Sequence, residues 1–284
     1  MSDFPFGLTS HQVGLGLRRE MLSAVLEQQQ ASIDFFEVAP ENWIPFGGRL
    51  QRQFAEVATQ YPLICHGLSL SIAGPDPLDL VFLGQLKQFF RQYQVKLYSE
   101  HLSYCSGQGH LYDLMPVPFC QAAIDYVVPR IRQVQDALEQ ELVLENISYY
   151  GTPSAEMTEL EFLTEVLAKA DCGLLLDVNN IYVNSVNHGY DALAFLRGLP
   201  SDKIRYGHIA GHLQQSPQLL IDTHGSEVND PVWALLQQAY RYHGVFPTLL
   251  ERDFNLPPFA QLLAEVQHIR DIQQQSCRLF SGVA

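Results

Sequence analysis

Cysteine is scarce in this 284-residue chain, and none of the five forms a C-x-x-C pair. Cys65, Cys105, Cys120, Cys172 and Cys277 are odd in number and widely spaced. They offer neither a disulfide framework nor a cysteine zinc knuckle, and read as reduced, mostly buried thiols in a reducing compartment. Basic residues are scarce too: 17 against 31 acidic ones, for a formal charge of -14, with no cluster of Lys or Arg. Such a surface repels polyanions, so nucleic acid is not an expected partner. No apolar run approaches the roughly 18 to 20 residues that cross a bilayer. The first residues show no charged segment leading into the apolar core of a signal peptide. No membrane partner is expected, and the expected location is cytoplasmic.

What is present is ample core material. Hydrophobic residues make up 47% of the chain and are spread evenly, with no low-complexity linker or repeat. One domain over 1–284 is the expected organisation. Short apolar runs alternate with stretches of helical period: "VGLGL", "IDFFEV", "PLICH", "VKLYSEH", "ELVLEN", "CGLLLDV", "KIRYGHI" and "FPTLLE". Strands too apolar to have a wet face belong to a parallel sheet covered by helices. Eight of them, separated by segments such as 77–93, 118–140 and 154–170, predict an α/β fold, a (β/α)8 TIM barrel.

The run "LLIDTHG", 219–225, would be a ninth strand. Only about five residues separate it from "KIRYGHIAGH", whereas a parallel crossover needs about a dozen. It is therefore expected as an extended excursion above the seventh strand, with the next helix starting near Asn229-Asp230-Pro231.

The last residues of successive strands are metal-ligand types: His66, His101, Glu145, Asp177, His208 and Glu251. Asp222 and His224 lie in the loop above the seventh strand, and Asn180 follows Asp177 by three. All would meet at the C-terminal mouth, where barrels of this type keep their active sites. Four carboxylates converging on a partly dry cleft cannot all ionise unless cations compensate, and Arg252 is the one basic residue in these strand-end motifs. Two or three divalent ions held by nitrogen and oxygen would satisfy them. Alternate residues of an extended segment share a side, so Asp222 and His224 are expected to grip one ion together. A single strand-end histidine is more often a hydrogen-bonded structural residue, and a single aspartate a helix cap; the convergence of six strand ends is what favours metal.

Other polar positions have two readings. Glu37, Glu41 and Asn42 in "FFEVAPENW" serve either as outer partners or substrate contacts, or as strand-end and turn residues. Ser69 in "HGLSLSIAG" is a candidate ligand-facing hydroxyl or a turn residue. His188 in "NSVNHGYD" either reaches the mouth as an outer partner or sits in a plain loop, and His212 either joins the site or holds the loop carrying Asp222. His11, His110, His243 and His268 read as terminus, loop or helix.

The ordered set His66, His101, Glu145, Asp177-x-x-Asn180, His208, Asp222-x-His224, Glu251 resembles the trinuclear site of the xylose-isomerase-like barrels, whose zinc-dependent apurinic endonuclease has histidine where Asn180 stands. More closely, "GLGLR", "FFEVAPENW", "HGLSLSIAG", "SEHLSY", "LENISYY", "DVNNIYVN", "HIAGH", "IDTHG" and "LLERD" resemble the multinuclear non-haem iron-dependent oxidative enzymes, among them the methanobactin-maturing enzyme. That resemblance runs from about Val13 to Phe259. It implies a barrel holding two or three iron ions that uses dioxygen to modify cysteine residues of a ribosomally made precursor peptide, with a peptide-recognising partner protein; the metal cluster itself is the expected catalytic element, and it assigns no catalytic side chain. Carried over, one ion takes His66, His101 and Glu145, a second shares Glu145 and adds Asp177, His208 and Glu251, and a third takes Asn180, Asp222 and His224. The amide of Asn180 makes the third position the most labile. Iron is implied by the family alone, since these donors accept zinc and manganese as well. Two other readings share the ligands: a zinc-dependent phosphodiesterase or endonuclease, disfavoured by the acidic balance, and a non-catalytic metal-handling accessory protein.

Overall fold

A computed structural model describes residues 7–27, 32–107 and 109–281. Its strands are β1 (Val13–Gly16), β2 (Phe35–Val38), β3 (Leu63–His66), β4 (Tyr98–His101), β5 (Ser103–Ser106), β6 (His110–Pro116), β7 (Leu142–Glu145), β8 (Gly173–Asp177), β9 (Ile204–Ile209), β10 (Leu213–Ser216), β11 (Leu219–Ile221) and β12 (Thr248–Leu250). Eight of them close into a parallel barrel in the order β1-β12-β9-β8-β7-β4-β3-β2. These are the eight runs expected from the sequence, and the TIM-barrel fold class holds.

The helices are α1 (Leu22–Glu27), α2 (Gly48–Gln60), α3 (Leu80–Tyr93), α4 (Gln121–Leu138), α5 (Glu159–Ala170), α6 (Val178–His188), α7 (Ala192–Gly198), α8 (Asp230–His243) and α9 (Phe259–Ser281). Local chemistry sets their ends. Asp79 caps α3 by accepting from the amides of Val81 and Phe82, and Thr158 with Glu161 forms a reciprocal capping box on α5. On α4 the buried positions Ile124, Val127, Val128, Ile131 and Val134 repeat at three and four, so one stripe faces the barrel. Each such side chain, fully buried, contributes about 1.5–3 kcal/mol.

The barrel interior explains where the polar strand ends come from. Phe35, Ile64, Leu97, Val143, Leu175, Tyr206 and Leu249 form one buried cluster, closed from below by Leu8. Two residues further on stand Glu37, His66, Ser99, Glu145, Asp177, His208 and Glu251, all buried. Residues i and i+2 of a strand share a face, so each of these seven chain segments lays an apolar residue in the barrel floor and a polar one directly above it. His101 is one further pair up β4. On β1 the same alternation reads Gly14, Gly16, Arg18, and a Cβ at Gly14 would lie 2.4 Å from the Phe35 ring. Glycine there leaves the space that Phe35 fills.

Two antiparallel hairpins, β5-β6 and β10-β11, stand outside the barrel. The second contains "LLI" of the supposed ninth strand, confirming its place above β9. The helix after it begins at Asp230, with Asn229 as its cap residue and Pro in the first turn. The first hairpin is a departure from the sequence reading, and His110 opens its β6 strand. The polar stretch around Asn184–His188 is also not a loop. It is the second half of α6, which ends where Gly189 takes φ 71°.

Candidate metal centre

At the C-terminal mouth three donors from three neighbouring strands almost touch. His66 Nε2 lies 3.1 Å from His101 Nε2, and each lies 3.2 Å from Glu145 Oε2. Lone pairs held that close repel unless a cation or protons sit among them. Donors bound at about 2.0–2.1 Å to one tetrahedral ion stand about 3.3 Å apart, so the triangle fits a metal. Four overlapping groups have mutually close donor atoms: His66, His101 and Glu145; Glu37, His208 and Glu251; Glu145, Asp177 and His208; and Asp177, His224 and Glu251. Glu145, Asp177, His208 and Glu251 each belong to more than one, the arrangement bridging carboxylates need.

Orphaned atoms mark the same centre. Glu145 Oε2, Asp177 Oδ2, Asn180 Oδ1, His208 Nδ1 and Glu251 Oε2 are buried and lack a hydrogen-bond partner. A buried polar atom left unpaired costs about 1–3 kcal/mol, and more when charged. Five of them around one point are the signature expected of residues that fit a metal.

Electrostatics agree. Burial works against a charged His101, but Glu145, Glu100 and Glu251 outweigh it and lift the ring to about 9. Burial would raise Glu145, yet His101 and His66 draw it down to about 2. Asp177, buried and beside Glu145, is held well above the carboxylate range. His208 and His224 are raised well above the usual histidine value against burial, His208 by Glu37 and Glu251 and His224 by Asp222 and Glu251, while those two rings pull Glu251 well down. Carboxylates and imidazoles packed this closely bias one another's protonation, and a cation among them would relieve the same repulsion.

Asp177 has a double role. Its Oδ1 accepts the amide of Asn180 at 2.6 Å, capping α6, which leaves Oδ2 for the centre. Asn146 holds the aspartate's backbone, its Oδ1 accepting from Asp177 N and its Nδ2 donating to Asp177 O, both at 2.9 Å.

At the third expected position Asn180 keeps a buried Oδ1 without a hydrogen-bond partner, while its amide nitrogen is engaged. Asn180 Nδ2 donates to Glu145 Oε1 at 3.0 Å and to Asn146 O at 3.2 Å, so the amide first positions the bridging carboxylate. Asp222 Oδ1 lies 2.6 Å from His224 Nε2, while His224 Nδ1 lies 3.2 Å from Glu251 Oε2. His224 thus groups with Asp177 and Glu251, and Asp222 backs it from behind. The extended D-x-H arm is not seen: β11 ends at Ile221, and His224 takes φ 48°. That turn brings the ring over the centre while its Nε2 stays beside Asp222 Oδ1.

Of the remaining candidates, Glu37 Oε2 lies 3.0 Å from His208 Nε2. His212 lies 2.8 Å from Asn179 Oδ1, and Asn179 Nδ2 donates to Asp222 Oδ1 at 2.8 Å, so His212 holds the loop through Asn179. Asn42 lines the mouth cleft. Ser69 is turned aside, donating to Glu41 Oε1 at 3.0 Å, where the carboxylate also accepts from the amides of Leu68 and Ser69. His188 does not reach the centre: it stacks on Tyr149 with centroids 4.1 Å apart and lies 2.8 Å from Tyr149 O. Helix α6 carries its last turn away from the mouth. Arg252 also points away, to Glu265 on α9 at 2.7 Å. Sequence reasoning missed Ser99, Asn146, Asn179 and Tyr206; the signal was their position, two residues from a donor, next to one, or on a strand's inward face. The mouth opens into a cleft of about 1310 Å³, rimmed by Trp43, Leu68, Leu111, Met115 and Tyr150 and including Arg18 and Arg19.

Beside α6, half-buried Glu159 lies 3.4 Å from Asn184 Nδ2, and burial raises it to about 7. A carboxyl that stays protonated in the folded chain but ionises near 4.5 when unfolded costs stability as pH rises between those values. Glu159→Gln is therefore expected to unfold at the same urea midpoint as wild type near pH 4.5 and at a higher one at pH 8. A gap that shrinks with rising pH would contradict this.

Comparison with known proteins adds the family. The profile of the family described as "RiPP precursor modification enzyme MbnB/TglH/ChrH" matches residues 12–274. A UPF0276 protein of Shewanella oneidensis is 61% identical over 264 residues, covering 93% of this chain and 95% of that one. A UPF0276 protein of Acinetobacter baylyi is 59% identical over 266 residues, covering 94% and 92%. Among solved structures, endonuclease IV from Thermus thermophilus superposes with a TM-score of 0.60 at 14% identity, covering 93% of this chain and 99% of that one. A D-psicose 3-epimerase from Clostridium cellulolyticum gives 0.59 at 12% identity, covering 94% and 97%. At these identities the structural likeness concerns the xylose-isomerase-like barrel alone. Among the described residues no helix is long and apolar enough to cross a membrane.

Proposed function

Since this chain belongs to the MbnB/TglH/ChrH family of RiPP precursor modification enzymes, we propose that it is an iron-dependent oxidase that uses dioxygen to modify cysteine residues of a ribosomally synthesised peptide. The observation that carries the reading is the convergence of His66, His101, Glu145, Asp177, His208, His224 and Glu251 in overlapping donor groups under an open cleft. Asn180 and Asp222 complete the proposed set as residues that hold Glu145 and His224. When bound there, two or three iron ions would supply the electrons and open coordination positions for reducing dioxygen, and would lower the pKa of a substrate thiol.

The chain's own residues do the rest. The apolar barrel floor under the donors keeps water from below. Asn180 holds Glu145 so that Oε2 faces His66 and His101 while Oε1 is occupied. Asp222 Oδ1 and Glu251 Oε2 flank the His224 ring at its two nitrogens. At the rim, Arg18 pairs with Asp253, whose Oδ2 lies 3.4 Å from His224 Nδ1. Such a cleft, wide and open above, suits an extended peptide better than a small molecule. A peptide-recognising partner protein is part of the proposal.

The test is co-expression with a cysteine-containing small protein encoded beside the gene, with any neighbouring partner, followed by intact mass. A change of a few hydrogens or one oxygen, absent with His224→Ala, is expected. Bound zinc together with cleavage of abasic DNA would instead favour the phosphodiesterase reading, and metal binding without any mass change the accessory reading.

A further inference from the structure

Alongside the donors, and reaching down to Tyr206 of the barrel-floor cluster, a second set of buried polar groups forms one continuous chain. His66 Nδ1 lies 2.7 Å from Ser99 Oγ, Ser99 Oγ lies 2.7 Å from Tyr206 Oη, and Tyr206 Oη donates to Glu37 Oε2 at 2.6 Å. His208 Nε2 lies 3.0 Å from that same oxygen. All five side chains are buried. The chain joins two histidines that belong to different donor groups.

The direction of every proton in it follows from Glu37. Tyr206 Oη donates to Glu37 Oε2, and His208 Nε2 meets the same accepting oxygen as a second donor. Tyr206, its single proton spent, can only accept from Ser99. Ser99 has one proton as well, so its oxygen must accept from His66 Nδ1. The backbone carbonyl of Cys65, 3.3 Å from Ser99 Oγ, is the weaker alternative acceptor. Each ring then has its other nitrogen toward the centre: Nε2 of His66, which faces His101 and Glu145, and Nδ1 of His208, which faces Glu251 at 2.9 Å and Asp177 at 3.9 Å.

We propose that Glu37 is a shared positioning residue, fixing ring orientation and proton placement of His208 directly and of His66 through Tyr206 and Ser99, and so coupling two metal positions from below. Glu37 could also be counted as a ligand with His208 and Glu251. Its Oε2 is already engaged by two donors, whereas His208 Nδ1 and Glu251 Oε2 have none. The proposal rests on the metal reading of the centre and not on the oxidative reaction.

Zinc is the probe, since it is accepted by the same donors and is silent magnetically. In zinc-loaded protein with 15N-labelled histidine, the ring proton is expected on Nδ1 of His66 and on Nε2 of His208. Across a chelator series, Tyr206→Phe should release zinc from His66 about 10-fold more readily while His208 keeps its zinc-bound signal. Glu37→Gln should weaken both by about 10- to 100-fold, the usual cost of losing an outer partner. Tyr206→Phe removes one hydroxyl, so it decides the matter even where Glu37→Gln folds poorly. The opposite ring protonation, or Tyr206→Phe with an unchanged His66 zinc signal, would overturn the proposal. Wild-type protein that binds no zinc and no iron would overturn the metal reading with it.

Discussion

Glu145→Ala is expected to lose metal from two positions at once, with affinity falling more than about 100-fold, since removing even an outer partner costs about 10- to 100-fold. Glu145 Oε2 stands 3.2 Å from both His66 and His101, and the same residue joins Asp177 and His208 in a second group. Its loss also leaves Asn180 Nδ2 with only the backbone oxygen of Asn146 to donate to. Asp177, held high partly by the Glu145 charge, should ionise more easily in the variant. Metal content after anaerobic loading with ferrous iron and dialysis against a graded chelator reads the effect. A full wild-type complement at equal chelator would sink the bridging role. Asp222→Ala is the useful contrast, because it removes a group behind His224 and leaves the first donor triangle intact.

The second large effect is expected at Gly211→Ala, far from any donor group by chemistry but not by packing. A Cβ there would lie 2.2 Å from the carbonyl oxygen of Ser226 and 2.4 Å from that of Glu227. Backbone cannot swing aside as a side chain can, so the strand end after β9 and the returning segment must separate. Overpacking of this kind costs about 1–3 kcal/mol, or more where nothing yields. The same segment carries His224, and Ser226 Oγ donates to His212 O at 3.0 Å across the joint. Urea unfolding should show the lost stability, and metal analysis a selective loss from the His224 position. Wild-type values in both would show that the loop relaxes freely.

The barrel was legible because its strands are buried on both faces and read as uninterrupted apolar runs. The donors were legible because charge at the end of such a run has no packing reason to be there. The hairpins were not. β5 and β6 hold "SYCS" and "HLYDLMP", too short and too mixed to separate from loop, and their pairing depends on what the barrel mouth leaves open. α6 was hidden for a different reason. "VNNIYVNSVNH" carries four asparagines, poor helix formers because their side chains compete for backbone groups. Here those side chains are taken by the neighbouring strand end: Asn184 accepts from Tyr149 N at 3.1 Å and donates to Ile147 O at 2.9 Å. Tertiary partners thus reverse the local preference, and with it the direction in which His188 is carried. The pairing of donors into groups was legible only in part, since it depends on φ at His224 and on which end of the Asn180 amide faces Glu145.

Asp177 sits where α6 begins, and an α-helix carries roughly half a positive elementary charge at that end. The acidic mouth, which has no lysine among its donors, therefore has a counter-charge woven from peptide bonds. It is not lost when metal is chelated, and it does not titrate. Chelation of any metal should therefore leave Asp177 facing that helix end still, its Oδ1 on the Asn180 amide.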